Sequence, residues 1–165
     1  MEDQMAGRMP DIDWDDYFMA TAFLSAKRSK NPIIQVGACI VNNEKRIVGV
    51  GYNGMPNRCR GLPWNDVSRD DIRSRHLYEC HAEMNAIMNK YSSDLRNCTM
   101  YTSIFPCNEC AKMIIQSGIK EVIYVNDQYP ESVEIIAAKR MFDAARVIYR
   151  PLTPRNPRNP IIIDF

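Results

Sequence analysis

Two short segments carry residues able to hold a metal ion and to move a proton. The first is Cys80-His81-Ala82-Glu83-Met84-Asn85, with an imidazole and a carboxylate two positions apart. The second is Phe105-Pro106-Cys107-Asn108-Glu109-Cys110, a C-x-x-C pair that begins 26 positions after His81. On the first turn of a helix, cysteines three apart can point the same way, and the positive helix end favours their thiolates. One nitrogen and two sulfurs suit zinc and leave its fourth position open to water. Zinc so held lowers the pKa of its water from about 16 towards about 7. A carboxylate beside that water, here Glu83, can take its proton and pass it on, a task that a purely structural site does not need. The same residues allow other readings: a structural zinc closed by Cys80, a thioredoxin-like redox pair, or buried thiols with His81 at an ordinary helix end. A redox role leaves His81 and Glu83 unexplained, and the chain ahead of Cys107 does not read as a thioredoxin βαβ unit.

These segments need elements that aim them. Asp13 can cap a helix from Trp14 to Ser29, with Trp14, Phe18 and Leu24, and Tyr17 and Ala20 between them, as its apolar stripe. Val36–Asn43 reads as a buried strand and Asn42–Lys45 as a hairpin turn. Arg46–Gly54 is the returning strand, rich in glycine where a backbone approaches something closely. Met55–Tyr78 is a long polar stretch without period, a length more often functional than idle. A helix over His81–Tyr91 and a strand over Cys98–Ser103 follow. Then come a helix over Cys107–Ser117 stopped by Gly118, a strand over Lys120–Asn126, a helix over Glu131–Ala145 and a strand over Arg146–Arg150. One hairpin followed by strands separated by helices predicts a mixed sheet of about five strands in a three-layer α/β/α sandwich. The whole chain, residues 1–165, reads as one domain. Residues 1–12 are expected to be flexible and 151–160 to be a proline-rich segment, with the apolar terminus IIIDF docking on the body or on another subunit.

Composition narrows the partners. The 165 residues are 45% hydrophobic and 25% charged, enough apolar material for one core. Lysine and arginine (21) nearly balance aspartate and glutamate (20). Without a basic excess or an aromatic-basic stripe, a polynucleotide partner is not expected, whereas a single small anion needs only local donors. No apolar run reaches membrane-spanning length and no secretory h-region opens the chain, so no membrane partner is expected and the cytoplasm, or the nucleus, is the expected compartment. Six cysteines there stay reduced, and Cys39 and Cys98 read as small buried hydrophobes.

The order H-x-E…P-C-x-x-C marks zinc-dependent nucleobase deaminases. Beyond it, the segments DYFMATAFLSAKRSK, VGACIVN, IVGVGYNGMPN, CHAEMNAIMNK, MYTSIFPCNECAKMIIQSGIKEVIY and IIIDF span most of residues 16–165. Through them the chain resembles the animal-type deoxycytidylate (dCMP) deaminases of the cytidine deaminase-like superfamily. The resemblance implies zinc on His81, Cys107 and Cys110 and hydrolytic deamination of dCMP to dUMP, which supplies thymidylate synthesis. Glu83 would protonate N3 and then the leaving amine as water adds to C4. The Ala82 N–H would meet the pyrimidine O2 and the Phe105 carbonyl the leaving ammonia. Asn53 would contact the sugar, Ser29 and Lys30 the 5′-phosphate, and Tyr129 the pyrimidine ring. The resemblance also implies activation by dCTP and inhibition by dTTP, with Mg2+ accompanying the triphosphate, and a homohexamer. In the loop Gly51–Arg60, however, Arg58 stands where the resemblance expects glycine, and Arg60 where a small or acidic residue is usual. The arginines either spoil an effector site that needs φ > 0 at that point or add phosphate contacts. Cys59, His76 and Cys80 border the same loop and are candidate ligands of a second, structural zinc. Other cytosine nucleotides or nucleosides as substrates, and a catalytically silent zinc-containing nucleotide sensor, are the alternative functions.

Overall fold

The computed structural model describes residues 11–154 and 161–162. Helix α1 (Trp14–Ala26) begins where the Asp13 carboxylate accepts the Asp15 N–H at 3.0 Å. It is followed by β1 (Gly37–Val41), β2 (Ile47–Tyr52), α2 (Ala82–Met88), β3 (Thr99–Ile104), α3 (Asn108–Gln116), β4 (Glu121–Asn126), α4 (Val133–Ala145) and β5 (Ile148–Pro151). The five strands form one mixed sheet in the order β2-β1-β3-β4-β5. β1 runs antiparallel to both β2 and β3, while β3, β4 and β5 are parallel. Asn42 closes the β1–β2 hairpin, its Oδ1 accepting the N–H groups of Glu44 and Arg46.

Alternation along the strands sorts the core into two layers. Ala38, Ile40, Met100 and Val122 pack beneath α2, α3 and α4, among Ala86, Ile114 and Phe142. Cys39, Val41, Tyr101 and Ile123 face the other way, against Phe18, Met19 and Ala22 of α1. The result is a three-layer α/β/α sandwich with one helix on one face and three on the other.

Two element predictions need correction. The first helix stops at Ala26, with turns through Ser29, and buries Phe18, Met19, Ala22 and Ala26. Trp14, Tyr17 and Leu24 of the expected stripe are exposed. The segment is apolar nearly all round, so no polar side set the phase of the pattern. Helix α2 is shorter than expected: His81 is its N-cap, Asn89 its C-cap, and Tyr91 is 92% exposed. At the far end, Leu152 packs against the α1 layer, and Ile161 and Ile162 are exposed. The other calls on residues 1–10, 155–160 and 163–165 lie outside the described residues. No described helix is long and apolar enough to cross a membrane.

What the glycines of β2 approach is α2. A Cβ at Gly51 would lie 2.2 Å from the Ala86 nitrogen and 2.3 Å from the Ala82 carbonyl oxygen. Both are backbone atoms and cannot swing aside. Gly51→Ala is therefore expected to cost about 2–3 kcal/mol and to lower the melting temperature by roughly 5–10 °C, because α2 must lift from the sheet. Calorimetry checks the shift, and an unchanged melting temperature would contradict the packing described.

Candidate metal centre and substrate cavity

His81 and Cys107 hold the same place on neighbouring helices. Each is an N-cap with extended backbone, φ −71° and ψ 159° for His81, φ −71° and ψ 174° for Cys107. Cys110 and Glu83 lie in the first turns behind them. α3 starts three residues after β3, so its N-terminus opens at the carboxyl end of the parallel strands, where α/β sheets place their ligands. His81 Nδ1 is 3.4 Å from Cys107 Sγ and 3.5 Å from Cys110 Sγ. Tetrahedral zinc, at about 2.0 Å from nitrogen and 2.3 Å from sulfur, separates such atoms by about 3.5 Å. The three donor atoms lie within 4.8 Å of one another and thus fit zinc in both spacing and chemistry.

Electrostatics agree. As protein groups alone, the three divide their protons unevenly. Hydrogen bonding from Cys110, aided by His81 and opposed by burial, draws Cys107 down to about 3. The Cys107 sulfur beside it raises His81 to about 9 against the cost of burial. Cys110 is pushed well above its ordinary value by its bond to Cys107 and by burial. A thiolate that stable among buried neighbours is a ready metal ligand.

Glu83 is 4% exposed, and burial raises the pKa of its carboxyl. Its Oε2 is 3.5 Å from Cys110 Sγ, and its Oε1 is 3.2 Å from the Thr102 hydroxyl. Sequence reasoning missed Thr102, which sits on β3 with no motif around it. A cavity of about 320 Å3 opens beside this group. Asn53, Ala82, Phe105 and Tyr129 line it with His81, Glu83 and Cys107; Tyr129 is at its rim, 70% exposed.

The structure does not gather every expected residue there. Lys30 lines a second cavity of about 450 Å3, together with Arg28, Arg58 and Arg60. Ser29 is buried, and its hydroxyl oxygen accepts the Asn31 N–H at 3.2 Å. Asn53 borders both cavities. Cys59, His76 and Cys80 form no metal-binding group: among the described residues, His81, Cys107 and Cys110 are the only such set, and His76 instead meets Asp66 at 2.8 Å. Also unforeseen was a buried network of Asn31, Asn53, Arg75 and Glu79 in the cavity wall. Its members lie up to 48 positions apart, and no local pattern signals them.

A nitrogen–sulfur–sulfur set with an open side, beside a buried carboxylate and at the strand ends of an α/β/α sheet, defines the zinc-dependent hydrolytic deaminases as a class. Residues 12–126 match the cytidine and deoxycytidylate deaminase zinc-binding region, and the chain belongs to that family. Deoxycytidylate deaminase of Pongo abelii is 55% identical over 93% of this chain and 86% of its own length; that of Homo sapiens is 54% identical over the same shares. The crystal structure of dCMP deaminase from the cyanophage S-TIM5, in complex with dCMP and dUMP, superposes with a TM-score of 0.70 at 26% identity. It covers 88% of this chain and 100% of the phage chain. His81, Cys107 and Cys110 are the zinc site of this fold.

Proposed function

We propose that the protein deaminates dCMP hydrolytically to dUMP and ammonia, feeding thymidylate synthesis. The observation that carries this reading is a buried carboxylate, Glu83, beside a zinc set in a cavity sized for one small ligand. Identity of 55% over 93% of the chain with a deoxycytidylate deaminase supports the substrate. Zinc held by His81, Cys107 and Cys110 would supply the Lewis acidity that makes water a nucleophile near neutral pH. Glu83 would take one proton from the attacking water and deliver it to N3, then carry the remaining hydroxyl proton to the amine as the C4–N bond breaks and ammonia leaves. Burial suits it to both steps, since it raises the pKa of the carboxyl and with it the carboxyl's hold on a proton. The Ala82 N–H fixes the pyrimidine O2, the Phe105 carbonyl receives the leaving ammonia, and Tyr129 covers the ring from the rim. Asn53 meets the sugar, and Ser29 and Lys30 guide the 5′-phosphate from the edge shared with the second cavity. In the cytosol or nucleus, Cys107 and Cys110 stay reduced for the metal.

The test is ammonia release from dCMP, CMP, deoxycytidine, dCTP and single-stranded DNA. Best turnover on anything but dCMP would overturn the substrate. No turnover on any of them would favour a silent nucleotide sensor.

Regulation belongs to the second cavity. Its lining carries Arg28, Lys30, Arg58 and Arg60 and no carboxylate, chemistry suited to the phosphates of dCTP or dTTP with Mg2+. Arg58 adopts φ 69°, the left-handed region where glycine was expected, so its side chain is held at the cavity despite backbone strain. Arg58→Gly is expected to raise the half-activating dCTP concentration about tenfold in steady-state assays, by removing one cation from the site. Equal activation of both proteins would refute that contribution. The exposed Trp14, Tyr17 and Leu24 supply apolar surface for a homo-oligomer, and a hexamer is the expected assembly.

A further inference from the structure

The carboxylate that moves the protons is held by a group from another element, and that group has no part in the chemistry above. Thr102 lies on β3, the central strand of the sheet, where its backbone pairs with Ala38 on one side and Tyr124 on the other. It is 0% exposed, and its hydroxyl reaches the first turn of α2. There it donates to Oε1 of Glu83 at 3.2 Å, and the Ile104 carbonyl is within reach of the same hydrogen at 3.0 Å. An unshared hydroxyl bond is nearer about 2.7 Å, and both distances fit one hydrogen shared between two acceptors.

A buried strand position facing the helices ordinarily takes an apolar side chain, as Met100 does two residues earlier. Thr102 carries a hydroxyl there at the cost of burying it, which its hydrogen bonds offset. Glu83 needs such an anchor. Its flexible torsions allow the carboxyl several staggered positions, and α2 has only seven residues and no side-chain bond at its cap to steady the first turn. Thr102 supplies a fixed point from a strand paired on both sides. With Oε1 tied to the sheet, Oε2 is turned to the metal side, 3.5 Å from Cys110 Sγ. The hydroxyl can also accept, because its own hydrogen has the Ile104 carbonyl to go to. The contact therefore survives whether or not Glu83 carries a proton.

We propose that Thr102 is a positioning residue for the deamination, fixing the Glu83 carboxyl so that it meets both the water and the substrate ring without first reorienting. The proposal rests on the reading of Glu83 as proton carrier and deepens it. Thr102 belongs neither to the cavity lining nor to the ligand set, so its effect falls on kcat rather than on KM or zinc.

The experiment compares kinetics on dCMP, zinc content and melting temperature for the wild type, Thr102→Val and Thr102→Ser. Valine keeps the shape and suits a buried strand, but it has no hydrogen to give. Its kcat is expected to fall about tenfold, with KM and zinc close to the wild-type values. Thr102→Ala removes the same hydroxyl and, as a second variant, is expected to match it. Thr102→Ser keeps the hydroxyl and is expected to recover most of the lost turnover. In a Glu83→Gln background no carboxyl remains to be aimed, so adding Thr102→Val is expected to cost no more than about twofold. Wild-type kcat in Thr102→Val overturns the proposal, as does the full loss persisting in the Glu83→Gln background. A lower kcat accompanied by lost zinc or raised KM also overturns it, because packing rather than aim is then at work. So does a serine variant as slow as the valine one. No turnover of dCMP by the wild type, or a Glu83→Gln protein as active as the wild type, would instead refute the reading of Glu83, and this proposal with it.

Discussion

Glu83→Gln is expected to lower kcat for dCMP by about 10²–10⁴-fold while KM and zinc content stay close to the wild-type values. Glutamine keeps the shape of the side chain and an oxygen for the Thr102 hydroxyl, 3.2 Å away in the native protein. What it loses is the exchangeable proton. Glu83 is 4% exposed and adjoins Cys110, whereas Glu79, which lines the same cavity, is tied to Asn31, Asn53 and Arg75. The melting temperature should hold or rise, since a neutral amide avoids the cost of burying a charge. Single-turnover kinetics with metal analysis checks this. A variant that loses its zinc, or one that changes KM alone, would remove Glu83 from the role of proton carrier.

Cys110→Ala is expected to abolish measurable deamination and to reduce bound zinc from about one per chain to near zero. Cys110 is 2% exposed, so no solvent group can step into its place. Two ligands, His81 and Cys107, then hold the ion, and the lost chelation exceeds the tenfold to hundredfold cost seen for outer partners alone. Acid should mimic the substitution. His81, raised to about 9, and Cys110, raised further, both carry protons in the metal-free protein at neutral pH, and zinc must displace them. Affinity therefore falls as pH falls, and zinc released at low pH should return on neutralisation. Atomic absorption on the dialysed protein reads both effects, and full zinc occupancy in Cys110→Ala would disprove the ligand set.

His81, Glu83, Cys107 and Cys110 were legible because their chemistry is local: each pair lies within one helical turn, at a helix start that the flanking residues announce. The sheet was legible from alternation, with the hairpin at Asn42 and the crossovers around α3 and α4. Helix α1 was misread at its face, because Trp14, Phe18 and Leu24 are equally apolar and only packing decides which turns inward. The cavity that Lys30 lines was not legible either. Lys30 follows three turn residues beyond Ala26, where helical phase no longer says where a side chain goes. The Glu79 network was invisible for another reason. Arg75 and Glu79 are neighbours in one stretch, but Asn31 and Asn53 come from distant parts of the chain and meet them only after it has folded.

The caps of α2 and α3 carry a cost with a purpose. Neither His81 nor Cys107 offers its helix a side-chain hydrogen bond. A serine, aspartate or asparagine there would be worth about 1 kcal/mol at each helix start. The protein forgoes that stability twice, at two neighbouring positions aimed at one point. Capping residues engineered at 81 or 107 should therefore yield a sturdier and inert protein, and in this fold thermal optimisation and catalysis compete for the same two residues.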